Sequence, residues 1–66
     1  MRVFINDKVI DCASGVSLKQ VLEENGVNTD HAAVALDFEV IPREAWDKTM
    51  PREDSSIIII KAAQGG

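Results

Sequence analysis

Apolar and polar residues alternate from the first position. Met1, Val3 and Ile5 fall on one side of an extended backbone and Phe4 on the other, and after the polar Asn6-Asp7-Lys8 the pattern resumes in Val9-Ile10-Asp11-Cys12. This predicts an N-terminal β-hairpin. Ala13-Ser14-Gly15 breaks the strand, and Ser17 with Gln20 three residues on has the form of a capping box that opens a helix. Leu18, Val21 and Leu22 then fall at i, i+3 and i+4, which makes one apolar stripe, while Lys19, Gln20, Glu23 and Glu24 face water. Gly26 supplies a left-handed residue to end the helix.

Beyond the polar Asn28-Thr29-Asp30-His31, the run Ala33-Val34-Ala35-Leu36 predicts a strand, and Asp37-Phe38-Glu39 a turn into a short Val40-Ile41 segment that Pro42 stops. Pro42-Arg43-Glu44-Ala45-Trp46 predicts a helical turn with Trp46 covering one end of the core. Asp54-Ser55-Ser56 reads as a turn. Ile57-Ile58-Ile59-Ile60, β-branched throughout and apolar on both sides, belongs in the middle of a sheet. With Ile57 and Ile59 toward the helix, Phe4, Ile58 and Ile60 lie on a face with no second layer, an apolar patch suited to a partner. The order strand, strand, helix, strand, short segment, strand predicts an α+β chain. Its arrangement is a ubiquitin-like β-grasp, a mixed sheet of four to five strands packed on one helix.

Length narrows this picture. Sixty-six residues make one domain, and a chain of this size buries only about 60% of the surface it exposes when unfolded. Residues 1–61 are expected to form that domain and 62–66 a flexible tail. The net charge of −4 opposes approach to phosphate backbones and anionic lipid, so neither nucleic acid nor a membrane is an expected partner. Cys12 is the single cysteine, which excludes an internal disulfide and points to a reducing compartment, the cytoplasm. No segment reads as a signal peptide or reaches spanning length.

The ordinary vocabulary of active sites is sparse. His31 stands alone in a loop, Cys12 falls at an inward strand position, and Glu23-Glu24 and Glu53-Asp54 read as solvated pairs. There is no metal-ligand spacing and no phosphate-cradling glycine loop, so the chain is expected to be no enzyme and to bind no cofactor itself. The C-terminus is different. Lys61-Ala62-Ala63-Gln64-Gly65-Gly66 follows the last strand directly, with no large side chain near its end and a carboxyl group at Gly66. Residues 62–66 extend at most about 17 Å, enough to enter a neighbouring protein's cleft, and Gly65-Gly66 are as thin as bare backbone. A carboxylate is a poor acyl donor until it becomes a mixed anhydride. A partner using ATP and magnesium must therefore activate Gly66, with Gly65 and Gln64 recognised in the tail.

Several of these features coincide in one family. An opening strand that ends in Asn6, the helix start from Gly15 to Leu22, Val34-Ala35-Leu36 leading to Val40-Ile41-Pro42-Arg43-Glu44 with Trp46, the isoleucine strand and Gly65-Gly66 together resemble the ThiS family, the sulfur carriers of thiamine biosynthesis. The resemblance covers nearly the whole chain. It implies that Gly66 is adenylated by a ThiF-type enzyme and receives sulfur from a donor system as a thiocarboxylate. It also implies that the sulfur passes to a ThiG-type thiazole synthase. Arg43, Glu44 and Trp46 read as structural. Family members often carry Asn-Gly where this chain has Asp37-Phe38, and Gly-Asp where it has Asp54-Ser55. The alternatives are the small sulfur carrier of molybdopterin synthesis, a ubiquitin-like protein modifier, and a plain protein-interaction module that binds through Phe4, Ile58 and Ile60.

Overall fold

The computed structural model describes residues 1–61. The elements are β1 (Arg2–Ile5), β2 (Lys8–Asp11), α1 (Leu18–Glu24), β3 (Ala32–Leu36), β4 (Glu39–Ile41), a 3-10 turn (Arg43–Ala45) and β5 (Ser55–Lys61). They form one five-stranded sheet in the order β2-β1-β5-β3-β4. β1 and β5 pair in parallel, and the other neighbours are antiparallel. A mixed sheet clasping one helix is the β-grasp architecture that the residue pattern predicts. β5 is its central strand, as a run of four isoleucines requires.

The core forms where the inner face of the sheet meets the stripe of α1. Val3 and Ile5 from β1, Val34 from β3 and Ile57 from β5 close on Leu18, Val21 and Leu22, with Trp46 at one end. Met1, Ile10, Cys12, Val27, Leu36, Ile41 and Ile59 pack around this centre. The alternation in β1 is therefore realised as expected, with Val3 and Ile5 buried and Phe4 on the far side.

α1 has seven residues, fewer than an isolated helix needs to persist in water. Its ends explain why it holds. The Ser17 hydroxyl accepts from Gln20 N (3.1 Å) while Gln20 Oε1 accepts from Ser17 N (3.0 Å), the capping box expected from sequence. The two remaining N-terminal amides reach across the molecule, Leu18 N donating to Thr49 O (2.7 Å) and Lys19 N to Trp46 O (3.1 Å). At the other end Gly26, at φ +64, lets its own N–H reach Glu23 O and that of Val27 reach Leu22 O, a Schellman closure.

Both hairpins turn on two left-handed residues, Asn6 and Asp7 at φ 47 and 69, and Asp37 and Phe38 at φ 50 and 71. These are the mirror-image turns whose twist matches that of the flanking strands. Several strand boundaries differ from the sequence expectation, among them β2 stopping before Cys12 and β3 starting at Ala32, and three further shifts have a plain cause. Lys8 belongs to β2 and Glu39 to β4, because a two-residue turn of this type is sufficient in each hairpin. The third is at β5, which begins at Ser55. Glu53 and Asp54, the latter at φ 65, make the turn, closed by Ser55 N donating to Arg52 O (3.0 Å), and Ser55 and Ser56 already pair with Val3 and Phe4. Ser55 is buried, with its hydroxyl accepting from Arg52 N (2.8 Å) and donating to Asp37 (3.3 Å).

The Pro42-to-Trp46 stretch is a strut. Trp46 is buried, and its indole N–H donates to Ile41 O (2.9 Å). Arg43 stacks over the indole at 4.5 Å and donates to Thr29 O (2.7 Å), which ties the 3-10 turn to the loop before β3. Both residues are structural, as expected.

Candidate functional site

The site expected at Gln64, Gly65 and Gly66 lies outside the described residues. What the structure defines is the point from which those residues start. Lys61 ends β5, the strand with a hydrogen-bonded neighbour on each side, and pairs with Ala32 of β3. β1 pairs with β5 only from Ser55 to Ile57, so Lys61 ends the central strand with a register partner on β3 alone.

The second expected element, the apolar face, is formed by register. Phe4 of β1 stands opposite Ser56 of β5, and Ile58 and Ile60 of β5 stand opposite Ala35 and Ala33 of β3. Opposed residues share a face, so Phe4, Ile58 and Ile60 lie together on the side away from α1. Register also extends the patch beyond these three. Val9 of β2 is opposite Phe4 and Val40 of β4 is opposite Ala35, which carries the apolar band from one edge of the sheet to the other. Val9, Val40 and Ile60 are exposed, at 59, 61 and 47%, whereas Phe4 and Ile58 are half-buried by their neighbours. Sequence reading missed Val9 and Val40 as members, although alternation from Ile10 and Ile41 would have found them.

One end of the band is charged. Arg2 lies 5.7 Å from the Phe4 ring centre and pairs with Asp54 at 2.8 Å. The hydrogen bond to Asp54, and then its charge, raise the Arg2 pKa above its ordinary value. Glu53 accepts from Arg2 N (2.6 Å), so the Glu53-Asp54 pair anchors the β1 end. Asn6 and Asp37 serve the central strand in the same manner as each other. Asn6 Oδ1 accepts from Ile59 N (2.9 Å) and Asp37 Oδ1 from Ser56 N (2.9 Å), each a side chain standing in for a backbone carbonyl. The other sequence candidates do not converge. His31 is exposed at φ 57 in the turn before β3, Cys12 is half-buried against the core, and Glu23 and Glu24 face solvent.

A single mixed sheet with one face covered by a helix and the other bare and apolar defines a small β-grasp protein. Comparison with known proteins narrows the class. The sequence model of the ThiS family matches residues 2–66, and the chain belongs to that family. It is 27% identical over 66 residues to the sulfur carrier protein ThiS of Escherichia coli (strain K12), with both chains covered in full. Among solved structures it is similar to the crystal structure of the thiamine biosynthesis protein ThiS from Geobacter metallireducens. The TM-score is 0.83 at 26% identity, over 100% of both chains. A solution structure of a thiamine biosynthesis protein from the same organism gives a TM-score of 0.73 at 26% identity, over 100% of this chain and 88% of that one.

Proposed function

We propose that this chain is a sulfur carrier of thiamine biosynthesis whose working group is the Gly66 carboxylate. The observation that carries the reading is the family match, which runs from the opening strand through Gly65-Gly66. The β-grasp fold supports it by rooting the tail in the central strand and leaving one sheet face bare. In this reading a ThiF-type partner, using ATP and magnesium, converts the carboxylate to an acyl-adenylate with release of pyrophosphate. A sulfur nucleophile from the donor system then displaces AMP and leaves a thiocarboxylate, whose sulfur passes to a ThiG-type thiazole synthase. The chain supplies no acid, base or metal to these steps. It supplies an electrophilic carbon on a thread without bulky side chains, with Gln64 and Gly65 read by the partner's channel.

The band around Phe4, Ile58 and Ile60 is the surface by which the partners grip the carrier. It is apolar and continuous across the sheet, the character of the buried centre of an interface. Among the described residues no helix is long and apolar enough to cross a membrane, and the reading places the carrier in the cytoplasm.

The test is an intact mass after incubation with the activating enzyme, ATP and a sulfur donor. Replacement of one Gly66 oxygen by sulfur is the expected result. Conjugates of higher mass would instead indicate a protein modifier, and an unchanged mass a plain interaction module. Feeding the thiocarboxylate to thiazole synthase or to molybdopterin synthase then separates the two carrier readings.

A further inference from the structure

Asn25 is the one asparagine of this chain that precedes a glycine, since Asn6 and Asn28 precede Asp7 and Thr29. The pairing matters chemically. When the amide nitrogen of the following residue reaches an asparagine Cγ, it closes a five-membered succinimide and expels the side-chain nitrogen as ammonia. Glycine has no side chain to obstruct that approach, and its backbone turns freely into the geometry the ring needs. Asn25 and Gly26 are both exposed at the end of α1, so water and base have access to them.

The fold opposes each requirement of this reaction. Asn25 sits at φ −96 and ψ 9, which turns the Gly26 nitrogen away from the Asn25 Cβ, whereas the ring needs the two nearly eclipsed about the Cα–C bond. The Gly26 N–H, which must give up its proton before the nitrogen attacks, donates to Glu23 O (3.1 Å). The leaving nitrogen is held as well, with Asn25 Nδ2 donating to Val21 O (2.7 Å). One residue on, Val27 N donates to Leu22 O (3.0 Å), and the Val27 side chain packs against the core that holds Leu22. Rotating ψ of Asn25 into the reactive geometry therefore breaks the Schellman closure and lifts Val27 away. The hydrogen bonds that end the helix also shield the side chain.

We propose that Asn25-Gly26 is a latent modification site, held shut by the helix cap and converted only in chains whose helix end has opened. In an opened chain hydroxide takes the Gly26 N–H proton, and the nitrogen bonds to Asn25 Cγ. The Cγ–Nδ2 bond then breaks, and ammonia leaves with a proton from water. Water adds to one of the two imide carbonyls and reopens the ring, which gives aspartate or isoaspartate at position 25. The product does not fit the closed cap. A carboxylate has no N–H for Val21 O, and it brings negative charge to the negative end of a helix whose last turn has no basic residue. Isoaspartate also adds a methylene to the main chain. Conversion thus favours further opening, and a chain that has opened once stays marked.

The test is the rate at which the full chain deamidates at mildly alkaline pH, followed by peptide mapping in a mass spectrometer. The folded protein is compared with the same protein unfolded in guanidinium chloride at the same pH and temperature. Asn25 is expected to convert more slowly in the folded chain by about tenfold or more, because the reactive geometry is reached only on opening. Leu22→Ala removes a buried side chain from the same end of α1 and leaves Asn25-Gly26 unchanged. It is expected to move the folded rate toward the unfolded one. Should that variant fail to fold, the wild-type comparison decides. Equal rates in the folded and unfolded wild type, or a folded Leu22→Ala chain no faster than the folded wild type, would overturn the proposal.

Discussion

Phe38 holds a backbone conformation that its side chain disfavours, φ 71 in a two-residue turn, while remaining 83% exposed. The left-handed region costs about 1–2 kcal/mol for a residue with a Cβ, and glycine forfeits part of that advantage through its greater freedom when unfolded. Phe38→Gly is therefore expected to raise stability by about 0.5–1 kcal/mol, read from the midpoint of a urea titration. A lower midpoint would show that the ring contributes a contact the folded chain needs. Asn6 is the contrasting case. Its side chain tolerates the left-handed region and also accepts from Ile59 N in the central strand. Asn6→Ala removes both, and a loss of about 1–3 kcal/mol is expected by the same titration. A change under half a kcal/mol would mean that water replaces the carboxamide at no cost.

Each element shows which features of the fold are local and which are not. α1 was readable because its instructions lie within ten residues: Ser17 and Gln20 at the start, Leu18, Val21 and Leu22 on one side, Gly26 at the end. Ser17→Ala should cost about 1 kcal/mol, and a thermal melt that does not move would count against the cap's importance. The central place of β5 was readable for a similar reason, since a β-branched run that is apolar on both faces suits a strand paired on both edges. Other features depend on distant partners and leave no local trace. Ser55 and Ser56 look like turn residues until Val3 and Phe4 arrive to pair with them, and the amide of Leu18 finds its acceptor at Thr49, 31 positions along the chain. Asp37 resembles any polar turn residue in sequence, yet in the fold its carboxylate holds Ser56 N and the Ser55 hydroxyl.

Across the whole molecule, the asymmetry between the two faces of the sheet is the feature that bears on function. Phe4, Ile58 and Ile60 were recognisable as outward-facing from alternation alone, whereas Val9 and Val40 joined them only once register was known. Ile60→Asp is expected to weaken binding to the activating enzyme at least tenfold in a calorimetric titration, as loss of a central apolar contact does. Because Ile60 is 47% exposed and outside the core, the variant should melt close to the wild type. Lys19→Glu, on the opposite side of the molecule, serves as the control, and equal affinities for all three proteins would remove the sheet face from the interface. The position of β5 has a mechanical corollary. A force applied at Lys61 acts along the strand axis, so it loads the rungs to β1 and to β3 in shear and all at once, where an edge strand would peel open rung by rung. A pull on Lys61 should therefore leave the globule intact, which is the resilience the proposed carrier role would ask of the fold.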